Sequence, residues 1–147
     1  MSVKYMTTSC GGIIPVTDSY ESCLRRIKEA WNAGDARAYA NEFAEDATYV
    51  TFLGVLMLGR AEIEAAHKDV FTRWRPGEKM AVNPLRACYL SDVVVSVLTV
   101  GGLGHNEPIR FDKFQTYIFA LKHGRCLCAA FQNTKMSLDA ESSQNGP

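Results

Sequence analysis

The first regular pattern in the chain is an apolar stripe of helical period that begins after Pro15. Apolar residues recur at intervals of three and four, and charged residues fill most positions between them. The stripe consists of Tyr20, Cys23, Leu24, Ile27, Ala30 and Trp31. Such spacing is typical of an amphipathic helix that packs one face against a core. Asp18 followed by Glu21 fits a capping box, which predicts that the helix begins there.

A short second helix and a strand are predicted next. Gly34 suits the left-handed residue that ends a helix, and Asp35 can cap the helix that follows. This second helix is expected to carry Tyr39 and Phe43 inward. Residues 48–53 are β-branched and aromatic enough for a strand, with a short returning strand after it.

The third predicted helix opens at Gly59-Arg60 and ends at Pro76-Gly77. Its positions again follow the helical period of a buried face. The stripe consists of Ile63, Ala66, His67, Val70, Phe71 and Trp74. His67 is therefore expected on the buried side of this helix.

The second half of the chain reads as strands separated by turn signals. Four strands are predicted, over 79–90, 92–101, 108–122 and 125–136. The glycine-rich segment from residue 101 is expected to be a flexible hairpin tip. Helices followed by a meander predict an α+β domain in which a strongly curved antiparallel or mixed sheet wraps the helices.

The domain boundaries follow from where the periodic pattern starts and stops. Residues 1–15 show no period and are expected to form a flexible N-terminal arm, and residues 138–147 are polar and are expected to be disordered. A single domain is predicted over 16–137.

Composition and charge narrow the classes of function. Sixteen basic and sixteen acidic residues give a net charge of zero, so nothing favours nucleic acid or an anionic membrane as a partner. The run from Val93 to Val100 is far shorter than the roughly 20 residues of a membrane helix. The polar start of the chain lacks a secretory apolar region, so we expect a cytoplasmic protein. A small neutral ligand or a protein partner is favoured.

The five cysteines are an odd number and scattered, which indicates reduced thiols. Cys126 and Cys128 lie two apart and would share one face of a strand. No nearby Cys/His pair completes a tetrahedral set, so core packing is favoured over metal binding. We expect no metal and no cofactor.

Five motifs, in order along the predicted elements, resemble the nuclear transport factor 2-like (NTF2-like) superfamily. They are Trp31-Asn32-x-Gly34-Asp35, Phe43-x-x-Asp46-Ala47-Thr48-Tyr49-Val50, Gly59-Arg60-x-x-Ile63-x-x-x-His67, Gln115-Thr116-Tyr117 and Ala129-Ala130-Phe131-Gln132-Asn133-Thr134. Within the superfamily the chain resembles the SnoaL-like group, and most closely the SgcJ/EcaC family. The resemblance spans about residues 17 to 136.

This resemblance implies a cone-shaped α+β fold with a pocket between the first helices and the sheet, and a homodimer formed through the outer face of the sheet. Members of the superfamily include ketosteroid isomerases, polyketide cyclases, dehydratases and binding modules without catalysis. The SgcJ/EcaC relatives are associated with natural-product gene clusters, including those for enediynes, without one common reaction. Function must therefore be argued from the site.

Ketosteroid isomerase chemistry does not fit the residues. It needs an ionised carboxylate as base and two acidic hydrogen-bond donors. The resemblance aligns the base with Thr51 and the tyrosine donor with Ile27, and it places the acid donor near Thr116. A threonine hydroxyl cannot take a proton from carbon near neutral pH. We therefore reject this activity and keep the pocket.

His67 is the candidate catalytic residue. The same alignment places a tyrosine of the isomerase network at His67, so both the helical stripe and the resemblance turn it toward the cavity. A histidine that titrates near neutrality can act as a general acid or base. Two other roles stay open at this point, a core histidine bonded to a neighbour and a ligand contact.

The last two strands supply further ligand-binding candidates. Phe131 and Asn133 share the face that the alignment turns to the cavity, and Gln132 lies on the other. One bulge would reverse this choice, so both faces stay candidates. The preceding strand carries the same ambiguity, which adds Gln115, Thr116 and Tyr117.

The predicted pocket has an aromatic wall with a few polar groups in it. The wall consists of Trp31, Tyr39, Phe43, Tyr49, Phe71 and Phe131. Thr51, His67, Thr116 and Asn133 lie among these aromatics, which favours a ligand cavity with orienting contacts over a filled core.

The leading functional hypothesis is a cofactor-independent, homodimeric pocket protein of natural-product biosynthesis. It would bind a hydrophobic polyketide- or polyene-like intermediate and assist its cyclisation, isomerisation or hydration, largely by orienting it. One alternative is a carrier that shields such an intermediate without changing it. A protein-interaction module that works through the outer sheet is the third.

Overall fold

The described chain places three helices before a meander of four long strands and a fourth helix after it. A computed structural model describes residues 4–7, 13–16 and 18–146. The helices are α1 (Tyr20–Ala33), α2 (Ala36–Ala40), α3 (Arg60–Asp69), which continues into a π-helical turn over Val70–Trp74, and α4 (Leu138–Asn145). The strands are β1 (Lys4–Thr7), β2 (Ile13–Val16), β3 (Phe43–Val50), β4 (Leu56–Leu58), β5 (Lys79–Tyr89), β6 (Val94–Gly104), β7 (Lys113–Lys122) and β8 (Arg125–Lys135).

Six strands form one mixed sheet in the order β4-β3-β8-β7-β6-β5. The β3–β8 pair is parallel and the other neighbours are antiparallel. The sheet is curved and does not close, and its inner face packs on α1 to α3 through one apolar core. The predicted α+β class is confirmed, with the sheet wrapping the N-terminal helices.

The start of α1 differs in detail from the prediction. Ser19 is the N-cap residue, and its hydroxyl accepts a hydrogen bond from the Ser22 N–H. Asp18 instead binds Arg26 at 2.9 Å and accepts the Cys126 N–H at 2.6 Å. Burial alone would raise the pKa of the Asp18 carboxyl, but these hydrogen bonds and the Arg26 charge hold it below its ordinary value. The carboxylate therefore ties α1 to β8.

The turn between α1 and α2 follows the prediction, but α2 is shorter than expected. Gly34 ends α1 with a φ of 66°, and the Asp35 side chain accepts from the Ala38 N–H. Because α2 stops at Ala40, Phe43 is the first residue of β3, and it is fully buried in the core.

A β-bulge in β8 decides which residues face the helices. Ile118 pairs with Ala130 and Phe119 pairs with Cys128, so Ala129 is the extra residue. The bulge resets the alternation, and Cys128 therefore lies on the same inner face as Phe131.

The segments predicted as a flexible arm and a disordered tail contain secondary structure within the described residues. Strands β1 and β2 pair antiparallel in a separate hairpin. Residues 1–3 and 8–12 of the predicted arm, residue 17 of the predicted domain and residue 147 of the predicted tail lie outside the described residues. The expected disordered C-terminal segment contains α4. Ser137 caps this helix at the Ala140 N–H, and Asn145 exchanges two hydrogen bonds with the Phe111 backbone. These contacts order a segment whose composition alone gives no stabilising apolar face.

The glycine-rich segment is also part of the sheet, because β6 continues through Gly104. A Cβ atom at Gly102 would lie 1.8 Å from the Arg110 carbonyl oxygen, and one at Gly101 would lie 2.5 Å from Gln115 Oε1. These two glycines permit close approach of neighbouring groups. The prediction of a flexible hairpin tip was wrong at these positions.

None of the helices in the described part of the chain is both long and apolar enough to span a bilayer.

Candidate functional site

A cavity of about 490 Å³ opens between the helices and the inner face of the sheet. Its volume lies in the range of pockets that hold drug-sized ligands. The wall includes one side of α3 and its π-helical turn, the loop after β3, and inward residues of β6, β7 and β8. Most of the wall is apolar.

Three buried polar side chains of this wall contact one another, and we call them the cavity floor: Tyr39, Tyr49 and His67. His67 is only 2% exposed. Its Nδ1 lies 2.7 Å from the Ile63 carbonyl oxygen, its Nε2 lies 3.3 Å from the Tyr49 hydroxyl, and the two tyrosine hydroxyls are 2.8 Å apart.

The direction of the hydrogen bonds in the floor follows from its chemistry. The Ile63 carbonyl can only accept, so His67 Nδ1 carries the proton of a neutral imidazole. Nε2 is then an acceptor and the Tyr49 hydroxyl donates to it, while the Tyr39 hydroxyl donates to the Tyr49 oxygen. All three protons are engaged within the protein.

Burial sets the protonation states of the floor. Desolvation lowers the pKa of His67 to about 4, even though its hydrogen bond to the Ile63 carbonyl acts in the opposite direction. Desolvation also raises the pKa of both Tyr39 and Tyr49 above their ordinary range. Near neutral pH the floor is therefore uncharged, with a weakly basic imidazole and two weakly acidic phenols.

Aromatic rings hold the floor in place. The Trp31 ring meets Phe71 edge-on with centroids 5.0 Å apart, and it contacts the His67 ring edge-on at 5.8 Å. Trp31 Nε1 donates to the Glu78 carbonyl at 3.1 Å, which fixes the indole between α1 and β5. On the sheet side, Phe131 packs on Tyr49 at 4.5 Å.

Eight of the predicted site residues line the cavity. They are Trp31, Tyr39, Tyr49, Thr51, His67, Gln115, Phe131 and Asn133. The structure brings them together from α1, α2, α3, β3, the loop that follows β3, β7 and β8. Helical periodicity accounts for the inward residues of the helices, and strand alternation for those of the sheet.

Five predicted site residues lie elsewhere. Phe43 and Tyr117 are buried in the core beside the cavity wall, and Phe71 is half-buried behind Trp31. Thr116 and Gln132 pair with each other across β7 and β8 on the outer face, where both are exposed. The inward residues at this level are Gln115 and Asn133, so of the two faces kept as candidates the one that carries Thr116 and Gln132 points away from the cavity.

Tyr117 has an unusual environment. Its ring stacks with Phe119 and packs on Phe131, and its hydroxyl is buried without a hydrogen-bond partner among the described residues. Desolvation raises the pKa of this phenol well above its ordinary value. The buried Tyr117 hydroxyl therefore lowers stability, because no hydrogen bond within the described residues offsets its loss of water.

Lys113 was missed by the sequence analysis. It lies on the inner face of β7 with 8% of its side chain exposed, and its Nζ is 2.7 Å from Asp112 Oδ1 and 5.0 Å from the centre of the Phe52 ring. A lysine at the start of a strand is expected to be exposed to solvent, because lysine is seldom buried. Only its inward parity with Gln115 could have indicated otherwise.

Two side-chain amides of the cavity wall, those of Asn133 and Gln115, are fixed by hydrogen bonds to their oxygen atoms. Asn133 Oδ1 accepts the Phe52 N–H at 2.6 Å, which anchors the loop after β3 to β8. Gln115 Oε1 accepts the Thr99 hydroxyl at 2.8 Å. Their positions directly opposite each other in the β7–β8 register bring both amides to the same level of the cavity.

The cavity mouth is apolar and exposed. We define it by Leu53, Val55 and Trp74, of which Leu53 is 71% and Trp74 69% exposed. Trp74 was predicted on the buried stripe of the third helix. The π-helical turn over Val70–Trp74 changes the helical period and leaves the indole at the surface, where Arg73 stacks on it at 5.4 Å.

No group of three His, Cys, Asp or Glu side chains within the described ranges is arranged to hold a metal ion. Cys126 and Cys128 are buried as free thiols. Burial raises the pKa of the Cys128 thiol, which keeps it protonated and unreactive.

Comparison with solved structures identifies the architecture. An NTF2-like protein of unknown function from Shewanella oneidensis is 19% identical, with a TM-score of 0.68 over 79% of this chain and 96% of its own. The chain has an NTF2-like fold. The likeness covers nearly the whole of that protein.

Two enzyme-like structures share this fold. A ketosteroid isomerase-like protein from Erwinia carotovora is 14% identical, with a TM-score of 0.62 over 80% of this chain and 93% of its own. A scytalone dehydratase-like protein from Novosphingobium aromaticivorans is 11% identical, with a TM-score of 0.66 over 80% and 82%. At these identities the likeness shows the fold alone.

No protein-family model matches the sequence, and no curated protein matches it. The finer resemblance to the SgcJ/EcaC family stays a prediction from the sequence motifs.

Proposed function

We propose that this protein binds an apolar small molecule in the cavity and assists its conversion without a cofactor. The observation that carries this proposal is the cavity itself, about 490 Å³ of mostly apolar space above a hydrogen-bonded floor. A domain of this size would lose dispersion contacts and stability by leaving such a space empty. Occupation by a ligand explains why it is kept.

The ligand class we favour is a polyketide- or polyene-like intermediate of natural-product biosynthesis, which follows from the SgcJ/EcaC resemblance. Aromatic rings line one side of the cavity and Met57 and Met80 lie on others. Flat conjugated molecules pack well on aromatic faces, and methionine adapts to irregular shapes. These features support an extended, unsaturated ligand.

The reaction class is cyclisation, isomerisation or hydration, promoted mainly by orientation of the bound molecule. The neutral floor supports this emphasis. An imidazole whose pKa is about 4 is a poor base toward carbon, so a mechanism that depends on proton abstraction by His67 is disfavoured. His67 acts instead as a positioning residue, because it fixes the hydroxyl of Tyr49 at the cavity surface.

The same observation favours one alternative, a carrier that shields an unstable intermediate from water. All protons of the floor are engaged within the protein, so the resting floor offers no acid to a ligand. A carrier needs only the enclosed apolar space. The two functions therefore share a binding step and differ in whether a product forms.

We also propose a homodimer formed through the outer face of the sheet. Val94, Leu98, Phe114 and Ile118 lie on this face between the buried residues of β6 and β7, and each is partly or wholly exposed. A sheet face with apolar side chains at alternate positions is suited to packing against a second sheet.

Incubation with an intermediate from a candidate pathway tests the proposal. Saturable binding with formation of a product, followed by mass spectrometry, supports an enzyme. Saturable binding of an unchanged molecule supports a carrier. The variants His67→Ala and Asn133→Ala should lower turnover without abolishing it in the first case and only weaken affinity in the second, with circular dichroism as the control for folding. Absence of any binding to apolar ligands would contradict both.

A further inference from the structure

One end of the cavity presents hydrogen-bond donors that no atom of the described residues accepts. We call this the donor end and define it by Thr51, Lys113 and Asn133, all of which line the cavity.

Lys113 contributes the buried cation of the donor end. Its Nζ carries three N–H donors, and the Asp112 carboxylate at 2.7 Å accepts one of them. The Phe52 ring, 5.0 Å away, faces the ammonium and adds a cation–π contact. No other acceptor among the described residues hydrogen-bonds to this nitrogen.

Asn133 contributes an amide whose orientation is fixed. A backbone N–H can only donate, so the atom that meets the Phe52 N–H at 2.6 Å must be the side-chain oxygen. The Nδ2 group is then the free end of the side chain, and it donates to no atom of the described residues. Asn133 is half-buried and lines the cavity.

Thr51 completes the set. Its Oγ1 accepts the Val55 N–H at 3.2 Å, which leaves the hydroxyl hydrogen to donate. Thr51 precedes Phe52, and the Phe52 backbone is bound to Asn133 while the Phe52 ring lies beside Lys113. The three donors therefore converge on one region of the wall, around a single phenylalanine.

We propose that the donor end binds the carboxylate of an otherwise apolar acid. This inference rests on the proposed function of the cavity. Only an acceptor can satisfy the free N–H and O–H groups, and hydrogen bonds between ionised partners are the strongest of these. A single ammonium matches a monoanion better than a doubly charged phosphate. Asp112, whose side chain is one-third exposed, holds the ammonium in place through this ion pair.

Paired probes test this inference: dodecanoate and dodecan-1-ol, which share the chain and differ in the charged end. Isothermal titration calorimetry near neutral pH should show that the wild-type protein binds dodecanoate about 10- to 100-fold more tightly than the alcohol. In Lys113→Met the affinity for dodecanoate should fall to that for the alcohol, while the affinity for the alcohol stays unchanged. Lys122→Met, at the exposed end of the same strand, should behave as wild type.

A second variant guards against misfolding of the first. Asn133→Asp keeps an oxygen for the Phe52 N–H and replaces the Nδ2 donors by a carboxylate oxygen. It should retain binding of the alcohol and lose the preference for the acid. Equal affinity of the wild-type protein for both probes would overturn the inference and leave the apolar cavity proposal standing. Failure to bind either probe would count against both.

Discussion

The Nε2 atom of His67 lies 3.3 Å from the hydroxyl oxygen of Tyr49, deep in the cavity wall. Since His67 Nδ1 donates to the Ile63 carbonyl, this contact makes Tyr49 the donor and His67 the acceptor. The imidazole is therefore a neutral part of the floor. Its environment leads directly to a prediction about pH.

Stability should fall on mild acidification because His67 resists protonation in the folded state. Its pKa is lowered from 6.5 to about 4, so between these values the unfolded chain binds a proton that the folded protein does not. The free energy of unfolding then decreases as the pH falls through this window, by about 2 kcal/mol at about pH 5. Urea unfolding at several pH values measures the slope.

The matched variants for this prediction are His67→Gln and His105→Gln. The first removes the titrating group and should flatten the slope, whereas the second changes an exposed histidine and should preserve it. An unchanged slope in His67→Gln would show that another group causes the acid sensitivity.

Removal of two buried phenol hydroxyls should have opposite effects. Tyr49→Phe leaves His67 Nε2 and the Tyr39 hydroxyl without partners and should cost about 2 to 3 kcal/mol. Tyr117→Phe removes a hydroxyl that has no partner in the described chain and should be neutral or stabilise by up to about 1 kcal/mol. Chemical denaturation of both variants provides the comparison, and a large loss of stability in Tyr117→Phe would contradict this description of the core.

A methyl group should be tolerated at one glycine of β6 and not at another. Gly102→Ala would bring its Cβ to 1.8 Å from the Arg110 carbonyl oxygen, whereas at Gly104 the nearest atom is Ile109 Cγ1 at 3.6 Å. We expect Gly102→Ala to lower the free energy of unfolding by on the order of 3 kcal/mol. The free energy of unfolding of Gly104→Ala should stay within about 1 kcal/mol of the wild-type value. Similar thermal midpoints for the two variants would exclude the close approach.

The proposed dimer predicts a change of mass on substitution of one outer-face leucine. Leu98→Asp places a charge among the apolar residues of the outer sheet and should give a monomer in sedimentation equilibrium. Leu56→Asp, on the edge strand β4, alters an exposed leucine elsewhere and should leave the mass unchanged. A monomeric wild-type protein would contradict the proposal.

The sequence predicts the fold well because its strongest signals are local. The helical stripe of α1, the left-handed Gly34 and the Asp35 cap each depend on neighbours a few residues away. His67 was placed on the buried face of α3 by the same reasoning. These features need no knowledge of distant contacts.

The incorrect predictions concern residues whose partners are distant in the sequence. Asp18 does not cap α1, because its carboxylate binds Arg26 and the Cys126 N–H. The sequence does not indicate that Cys126 lies near Asp18. Alternation cannot tell which face of a strand is inward, so Thr116 was retained as a candidate although Gln115 faces the cavity. Lys113 was overlooked because its burial depends on Asp112 and on the Phe52 ring from another part of the chain.

A larger side chain inside the cavity should exclude the ligand. Ala66 lines the cavity, while its neighbour Ala65 on the same helix faces solvent. Titration with the fluorescent polyene all-trans-retinol should show saturable binding at one site per chain for wild type and for Ala65→Phe, and none for Ala66→Phe. Equal binding by the two variants, with both folded, would show that apolar ligands bind elsewhere and would contradict the proposed role of the cavity.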